Sequence, residues 1–200
     1  MTARDALTHQ HSQRVRRYAA ALAAEACIVS GEMLEAIDGA ALLHDIGKLG
    51  IPDRLLDKPG PLTRDEYDQV KQHVIIGADI LAALCVQAPI ALIVRHHHEK
   101  WDGTGYPDGL QAEEIPIGAR VLAIADGYDA LTSDRPYRRE LSHEAAVELI
   151  QQGRGTMYDP IIADAFLGIA QGVRAACARE RAGRSPARML GPWLRRVRSV

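Results

Sequence analysis

The chain has 200 residues, of which 47% are hydrophobic and 25% charged, and its formal net charge is −2. These values are those of an ordinary globular protein, and the length suffices for one domain with a sizeable core. Three distant cysteines without a CxxC pair predict neither a disulfide framework nor a thiolate zinc site. Only 4% of the residues are aromatic, which together with frequent Ala, Leu and Ile favours helix over strand.

The chain ends and one long apolar stretch bear on location and partners. The polar N-terminus carries no signal peptide, so we expect a cytoplasmic protein. The stretch Val74 to Val94 contains Asp79 and Pro89, which favour two core helices over membrane insertion. From Val173 onward there are eight Arg and one Glu. We therefore expect one domain over residues 1–172 and a solvated basic tail over 173–200, with nucleic acid an unlikely partner.

The first third of the chain predicts two helices and a loop. Apolar residues at helical spacing predict a helix from about Thr8 to Val29, with His11 on its apolar face. A second helix is predicted from about Glu32 to Ile46, and Gly47 is expected to end it in the left-handed conformation. Three prolines and two glycines between Gly50 and Pro61 predict a loop.

The remainder is also predicted to be helical, except for an irregular segment from Glu99 to Pro116 and an arginine-rich turn from Ser133 to Glu140. A capping box at Thr63 begins the next helix, which carries His73. Further helices are predicted over 75–85, 89–98, 117–132, 142–152 and 160–178. No alternating pattern is long enough to predict a strand, so the expected fold class is all-α.

Seven histidine and aspartate side chains lie on or at the ends of these apolar helices: His11, His44, Asp45, His73, His97, His98 and Asp126. A lone core histidine is usually structural, but burying this many imidazoles without partners would cost on the order of several kcal/mol. Nitrogen and carboxylate donors without thiolate favour iron, manganese or another first-row divalent ion over structural zinc. The alternative is a set of separately satisfied core histidines.

The stretch from His44 to Lys48 is the centre of this pattern. Adjacent helical side chains point about 100° apart, so His44 and Asp45 are expected to reach a metal cluster from the end of a helix. Lys48 adds a flexible positive charge beside that cluster. The alternative is a buried helix end with a satisfied histidine and an Asp–Lys salt bridge.

Several motifs resemble the HD metal-dependent phosphohydrolases, and more narrowly their HD-GYP branch. The resemblance covers about Arg4 to Phe166 and keeps the order of the family's motifs. They are His44-Asp45, His97-His98-Glu99, Glu99-Lys-Trp-Asp-Gly-Thr-Gly105-Tyr106-Pro107, Gly60-Pro61-Leu62-Thr63, Ile115-Pro116, Ala125-Asp126, and Asp129-Ala130-Leu131-Thr132-Ser133-Asp134-Arg135-Pro136-Tyr137-Arg138.

The resemblance implies an all-helical HD-domain bundle of about seven helices with two or three divalent ions. The implied metal ligands are His11, His44, Asp45, His73, His97, His98 and Asp126, with Asp45 bridging. Some members carry a glutamate one turn before the first histidine; Leu7 is there in this chain, so we predict a two-metal site. Asp45 and Lys48 are the expected catalytic residues, and Glu99 and Asp129 are expected to orient ligands or the loop. The expected substrate-binding residues are Lys48, Gly105, Tyr106, Pro107, Arg135 and Arg138.

The implied activity is hydrolysis of the bacterial messenger cyclic di-GMP to the linear dinucleotide, GMP or both. Two bridged divalent ions lower the pKa of a bound water and neutralise phosphoryl charge. Lys48, Arg135 and Arg138 are expected to hold phosphate oxygens, and a solvated surface turn is the alternative for the two arginines. Tyr106 is expected to stack on guanine, and a plain structural turn around Pro107 is the alternative there.

Two other functions compete with this hydrolase. One is an HD hydrolase that acts on another nucleotide, and the other is a catalytically weak module that binds the dinucleotide or a diguanylate cyclase. An upstream regulatory protein and a second copy of the chain are further candidate partners. His9, His96 and the leaving-group proton donor receive no assignment.

Overall fold

The computed structural model describes residues 3–26, 30–134 and 139–181, with side chains from residue 9 to residue 172 and at residue 175. Nine α-helices lie in this part of the chain. They are α1 Ala3–Ala26, α2 Gly31–Leu43, α3 Asp53–Leu56, α4 Arg64–Lys71, α5 His73–Ala83, α6 Ala88–His96, α7 Ile117–Thr132, α8 His143–Gln152 and α9 Pro160–Arg181. Two 3-10 helices span Ile46–Gly50 and Ala112–Glu114.

The all-helical prediction is confirmed, since the described residues contain isolated bridges but no strand. The chain is divided more finely than the sequence indicates, because the short helix α3 lies inside the predicted loop. The prediction that the helix beginning at Thr63 carries His73 was wrong, since α4 ends at Lys71 and His73 begins α5. None of the described helices is long and apolar enough to cross a membrane. The predicted basic tail lies largely outside the described residues.

The core forms where α1 packs against α2, α7 and α9, while α6 packs against α2 and α5. Its largest fully buried side chains include Leu22, Tyr128 and Phe166. Burying a side chain of this size stabilises the fold by about 1.5–3 kcal/mol. On α2 the buried residues Ala36 and Ala40 are small, which lets the neighbouring helices approach closely.

Side-chain caps begin two of the helices that lead to the functional site. The Ser30 hydroxyl accepts a hydrogen bond from the Met33 N–H at the start of α2. Thr63 and Glu66 form the predicted capping box at the start of α4, with the Thr63 N–H donating to the Glu66 carboxylate at 2.8 Å. Each cap satisfies backbone donors that the first helical turn leaves unpaired.

The end of α2 differs from the prediction. The helix stops at Leu43 rather than at Ile46, and His44 and Asp45 form a turn into the 3-10 helix. Gly47 is not among the residues with positive φ, so the left-handed prediction was wrong. A Cβ at Gly47 would lie 1.9 Å from the His73 carbonyl oxygen and 2.5 Å from the Gly77 nitrogen. The glycine is therefore needed for the close approach of this turn to α5.

Candidate metal centre

The seven predicted ligands come from five separate places in the fold. His11 lies on α1, His44 and Asp45 follow α2, His73 begins α5, His97 and His98 follow α6, and Asp126 lies on α7. Donor atoms from these places form two clusters whose members lie within 4.8 Å of one another. The first ligand group is His11, His44 and Asp45; the second ligand group is His73, His97 and His98.

Asp126 belongs beside the first ligand group. Its Oδ1 lies 3.3 Å from His11 Nε2 and 3.9 Å from His44 Nε2. The two imidazole nitrogens are themselves only 3.2 Å apart. Two imidazole nitrogens and a carboxylate oxygen at these distances are a donor set that suits a first-row divalent cation.

The second ligand group consists of three imidazoles. The ring centroids of His97 and His98 are 4.1 Å apart, and those of His73 lie 5.8 Å and 5.3 Å from them. His73 and His97 are buried, whereas His98 is partly exposed. This group therefore faces the surface only through His98.

Asp45 lies between the two groups. Its Oδ2 is 3.6 Å from His44 Nε2 and its Oδ1 is 3.9 Å from His73 Nε2. Each oxygen thus faces a different group, which is the arrangement that a bridging carboxylate requires. Burial opposes ionisation of Asp45, but its electrostatic interactions with His44 and Lys48 outweigh burial and hold the pKa of Asp45 well below its usual range.

Backbone carbonyls fix the tautomers of three histidines. The Nδ1–H of His44, His73 and His97 donates to the carbonyl three residues earlier, at 2.9, 2.8 and 2.7 Å respectively. A carbonyl can only accept, so in the neutral ring Nε2 carries a bare lone pair. Each of these Nε2 atoms faces the centre, as expected for metal-binding histidines oriented through their other nitrogen.

Two of these Nε2 atoms make no hydrogen bond within the described residues. They belong to His73 and His97, and both are buried. Leaving buried polar atoms unpaired costs free energy, and a divalent ion would satisfy both. Burial lowers the pKa of His73, lowers that of His97 well below its usual range, and lowers that of His98 to about 3. The rings are therefore neutral near pH 7, which metal binding requires.

His11 is oriented by a side chain rather than by its backbone. Its Nδ1 lies 2.7 Å from Asp129 Oδ2, and Arg14 donates to both oxygens of Asp129 at 2.6 and 2.9 Å. Burial opposes ionisation of Asp129, but these hydrogen bonds outweigh it and lower its pKa. Asp129 thus contacts a predicted ligand, and its orienting role stays a prediction. Arg14 was missed; its signal is its place one turn after His11 on α1.

Lys48 lies at the rim of the centre. Its Nζ donates to Asp45 Oδ2 at 2.7 Å, and its side chain is 40% exposed. The Asp–Lys salt bridge that the sequence offered as an alternative is therefore present. It coexists with the ligand arrangement, because Asp45 Oδ1 still faces His73.

Glu99 shapes the loop that carries three of the predicted substrate-binding residues, Gly105, Tyr106 and Pro107. Its Oε1 accepts hydrogen bonds from the backbone N–H of Asp108 at 2.7 Å and of Gly109 at 3.1 Å. Gly105 lies against the start of this loop, because a Cβ there would be 2.4 Å from the Glu99 Cα and 2.3 Å from the Lys100 nitrogen. Only glycine allows the chain to pass this close to itself.

Tyr106 rests on the second ligand group. Its ring centroid is 5.0 Å from that of His98 with the planes inclined by 32°, and its N–H donates to the His98 carbonyl at 3.3 Å. Lys71 Nζ lies 5.7 Å from the same ring, and a cis peptide joins Tyr106 to Pro107. Burial raises the pKa of Tyr106 above its usual range, so the phenol is neutral.

The two histidines that the sequence left unassigned, His96 and His9, are not members of these two groups. The ring of His96 contacts the Leu92 carbonyl at 2.9 Å through Nδ1 and Asp108 at 3.0 Å through Nε2, so both its nitrogens are engaged elsewhere. His9 is exposed on α1. Arg135 and Arg138 lie outside the described residues, and so does the side chain of Leu7.

Comparison with known proteins identifies similar sequences. A family model described as "HD domain" matches residues 2–162. A probable cyclic di-GMP phosphodiesterase of Vibrio cholerae is 42% identical over 182 residues, which cover 82% of this chain and 41% of that protein. A cyclic di-GMP phosphodiesterase of Thermotoga maritima is 43% identical over 183 residues, 89% of this chain and 49% of that protein. The chain spans less than half the length of these two relatives.

A third relative is named for another substrate. It is a 3′3′-cGAMP-specific phosphodiesterase of Vibrio cholerae, 38% identical over 158 residues, which cover 79% of this chain and 34% of that protein. Among solved structures, an HDG"Y"P protein from Bdellovibrio bacteriovorus matches with a TM-score of 0.67 and 22% identity over 82% of this chain and 53% of that one. At this identity the structural match shows the shared fold.

Proposed function

Because this chain belongs to the HD domain family, we propose that it is a metal-dependent phosphodiesterase that hydrolyses cyclic di-GMP to the linear dinucleotide, GMP or both. The observation that carries the proposal is the pair of ligand groups joined by Asp45, with buried and unpartnered Nε2 atoms on His73 and His97. The similarity to curated cyclic di-GMP phosphodiesterases supports the choice of substrate.

Two divalent ions, iron or manganese, are the cofactors that the residues fit best. We assign one to the first ligand group with Asp126, the other to the second ligand group, and Asp45 to both. Neutral imidazoles with carboxylates and no thiolate match the preference of these metals. When bound, such ions activate water and neutralise charge on phosphoryl oxygens.

The charge of the centre favours an anionic diester. Two divalent ions contribute four positive charges, and Asp45 and Asp126 remove two, so the loaded centre carries about +2. Lys48 lies at the rim with a 40% exposed side chain, and its ammonium is placed to contact a phosphate oxygen. We assign Lys48, the predicted catalytic partner of Asp45, to holding the scissile phosphate in line.

The loop from Gly105 to Pro107 is the proposed binding edge for the base. The ring of Tyr106 lies beside that of His98, with centroids 5.0 Å apart and planes inclined by 32°, so we assign it to stack on a guanine bound next to the second ligand group. Aromatic stacking of this kind contributes about 1–3 kcal/mol per base. Arg135 and Arg138 stay assigned to substrate phosphates by their motif, and Glu99 stays assigned to shaping the loop.

The test is hydrolysis by protein purified without oxygen and loaded with Mn(II) or Fe(II). Cyclic di-GMP and 3′3′-cGAMP are offered separately, and the products are separated by chromatography. We expect hydrolysis of cyclic di-GMP that stops after chelation and is absent in Asp45→Asn. Hydrolysis of 3′3′-cGAMP alone would show that this chain acts on the substrate for which the third relative is named, and not on cyclic di-GMP. Binding without turnover would instead support the catalytically weak signalling module, and neither binding nor turnover would overturn the proposal.

A further inference from the structure

Asp108, the residue that follows the Tyr106–Pro107 pair, is bound from two sides. Arg95 donates to its two carboxylate oxygens at 2.8 Å each, and His96 Nε2 lies 3.0 Å from Oδ2. On the main-chain side, its N–H donates to Glu99 at 2.7 Å. Arg95 and His96 are the last residues of α6, so this carboxylate joins the loop to a helix end.

The helix end that Asp108 contacts is also the one that carries part of the second ligand group. His97 and His98 follow Arg95 and His96 directly. The ring of His96 is fixed by contacts on both nitrogens, and a bidentate Arg–carboxylate pair sets angle as well as distance. The loop therefore has a defined position relative to the ring of His98, on which Tyr106 rests.

We propose that Asp108, held by Arg95 and His96, is a positioning residue that sets Tyr106 against His98 for binding of the cyclic dinucleotide. This role of Asp108 rests on the proposed function and lies beyond the Gly-Tyr-Pro motif. Asp108 acts through Tyr106 and does not touch a ligand of either group. Its removal should therefore weaken substrate binding and leave the metal ions in place.

A purely structural role predicts a different outcome. The ion pair is partly exposed, with 30% of the Arg95 side chain and 36% of the Asp108 side chain accessible. Exposed pairs contribute little to global stability. Loss of the pair is therefore expected to act on the loop, whereas an effect on folding would appear in the thermal midpoint.

The test compares Asp108→Asn and Arg95→Met with Asp164→Asn in the manganese-loaded full chain. Asp164 pairs with Arg154 in the same bidentate geometry, at 2.7 Å for both bonds, but this pair joins α9 to the preceding turn and includes no residue of the Tyr106 loop. We expect KM for cyclic di-GMP to rise about fivefold or more with kcat changed less than about twofold, the pattern of lost uniform binding. Asp164→Asn should match the unsubstituted protein, and Asp108→Glu should restore most of the loss.

Hydrogen–deuterium exchange of residues 103–109 and the manganese content are measured on the same samples. Faster exchange in Asp108→Asn but not in Asp164→Asn supports the positioning role. Unchanged KM and unchanged exchange would overturn it, and so would a loss of manganese or a lower kcat at constant KM. If the unsubstituted protein hydrolyses no cyclic dinucleotide, the proposed function fails, and the exchange data alone then decide whether Asp108 fixes the loop.

Discussion

The two ligand groups place their histidines by different devices. In the second group, His73 and His97 are oriented by carbonyls only three residues earlier in the chain. In the first group, His44 uses the same device, but His11 depends on Asp129, which lies 118 residues further along the chain. The ring orientations of His73 and His97 are thus set by local backbone geometry, whereas that of His11 needs α1 and α7 to pack correctly.

This difference suggests how the two groups should respond to mutation. A local turn keeps its carbonyl whenever the helix end forms, so the second group is expected to be robust unless a ligand itself is removed. The orientation of His11 passes through Asp129 and Arg14, both outside the ligand set. Changes there are expected to affect the first group alone.

The largest effect is expected from Asp45→Asn, because the two oxygens of Asp45 face the two different groups. An amide cannot replace the charge of a bridging carboxylate. The affinity for both ions should therefore fall by more than the roughly 100-fold that loss of a hydrogen-bond partner behind a ligand causes. Calorimetric titration with Mn(II) measures the two affinities. If only one of the two affinities falls, Asp45 serves a single group.

Gly47→Ala tests the contact that brings the groups together. The added Cβ meets the His73 carbonyl and the Gly77 nitrogen, which are backbone atoms that cannot rotate away. We expect destabilisation of about 1–3 kcal/mol or more, measured by thermal unfolding, with weaker metal binding. Gly31→Ala is the matched control, because nothing lies within 4 Å of that position. Equal midpoints for the two variants would contradict the proposed close packing.

Asp129→Asn should lower the metal affinity of the first ligand group and leave that of the second nearly unchanged. His11 loses its carboxylate partner, and the loss of such a partner lowers metal affinity by about 10–100-fold. The second ligand group, oriented by backbone carbonyls, should keep its affinity within about twofold, again by titration with Mn(II). An equal loss at both sites would show that the groups are not independently oriented.

Arg14→Gln should give the smallest effect, since Arg14 acts on His11 only through Asp129. We expect the affinity of the first group to fall by less than about tenfold, below the range for a direct partner. Arg16, on the same helix, makes a similar bidentate pair with Asp38, at 2.5 and 2.8 Å. Arg16→Gln is therefore the matched control and should leave metal affinity unchanged.

The sequence was sufficient for features that depend on short stretches of chain. The predicted helix over 117–132 has the bounds of α7, and the Thr63 capping box begins α4 as expected. Helical periodicity and capping act over a few residues, so a local pattern carries the information. The seven candidate ligands were named from residue type and motif; six of them lie in the two ligand groups and Asp126 lies beside the first, while their binding of metal stays a prediction.

Other features were decided only by the packing of distant segments. No local pattern indicates that the two oxygens of Asp45 face different groups, that Gly47 is needed for close packing, or that Asp108 joins the loop to α6. Each depends on the distance between segments far apart in the sequence, and that distance is set by how small and large side chains fill the core between helices. Helical periodicity repeats within one helix, whereas the spacing between helices is a property of the assembled core.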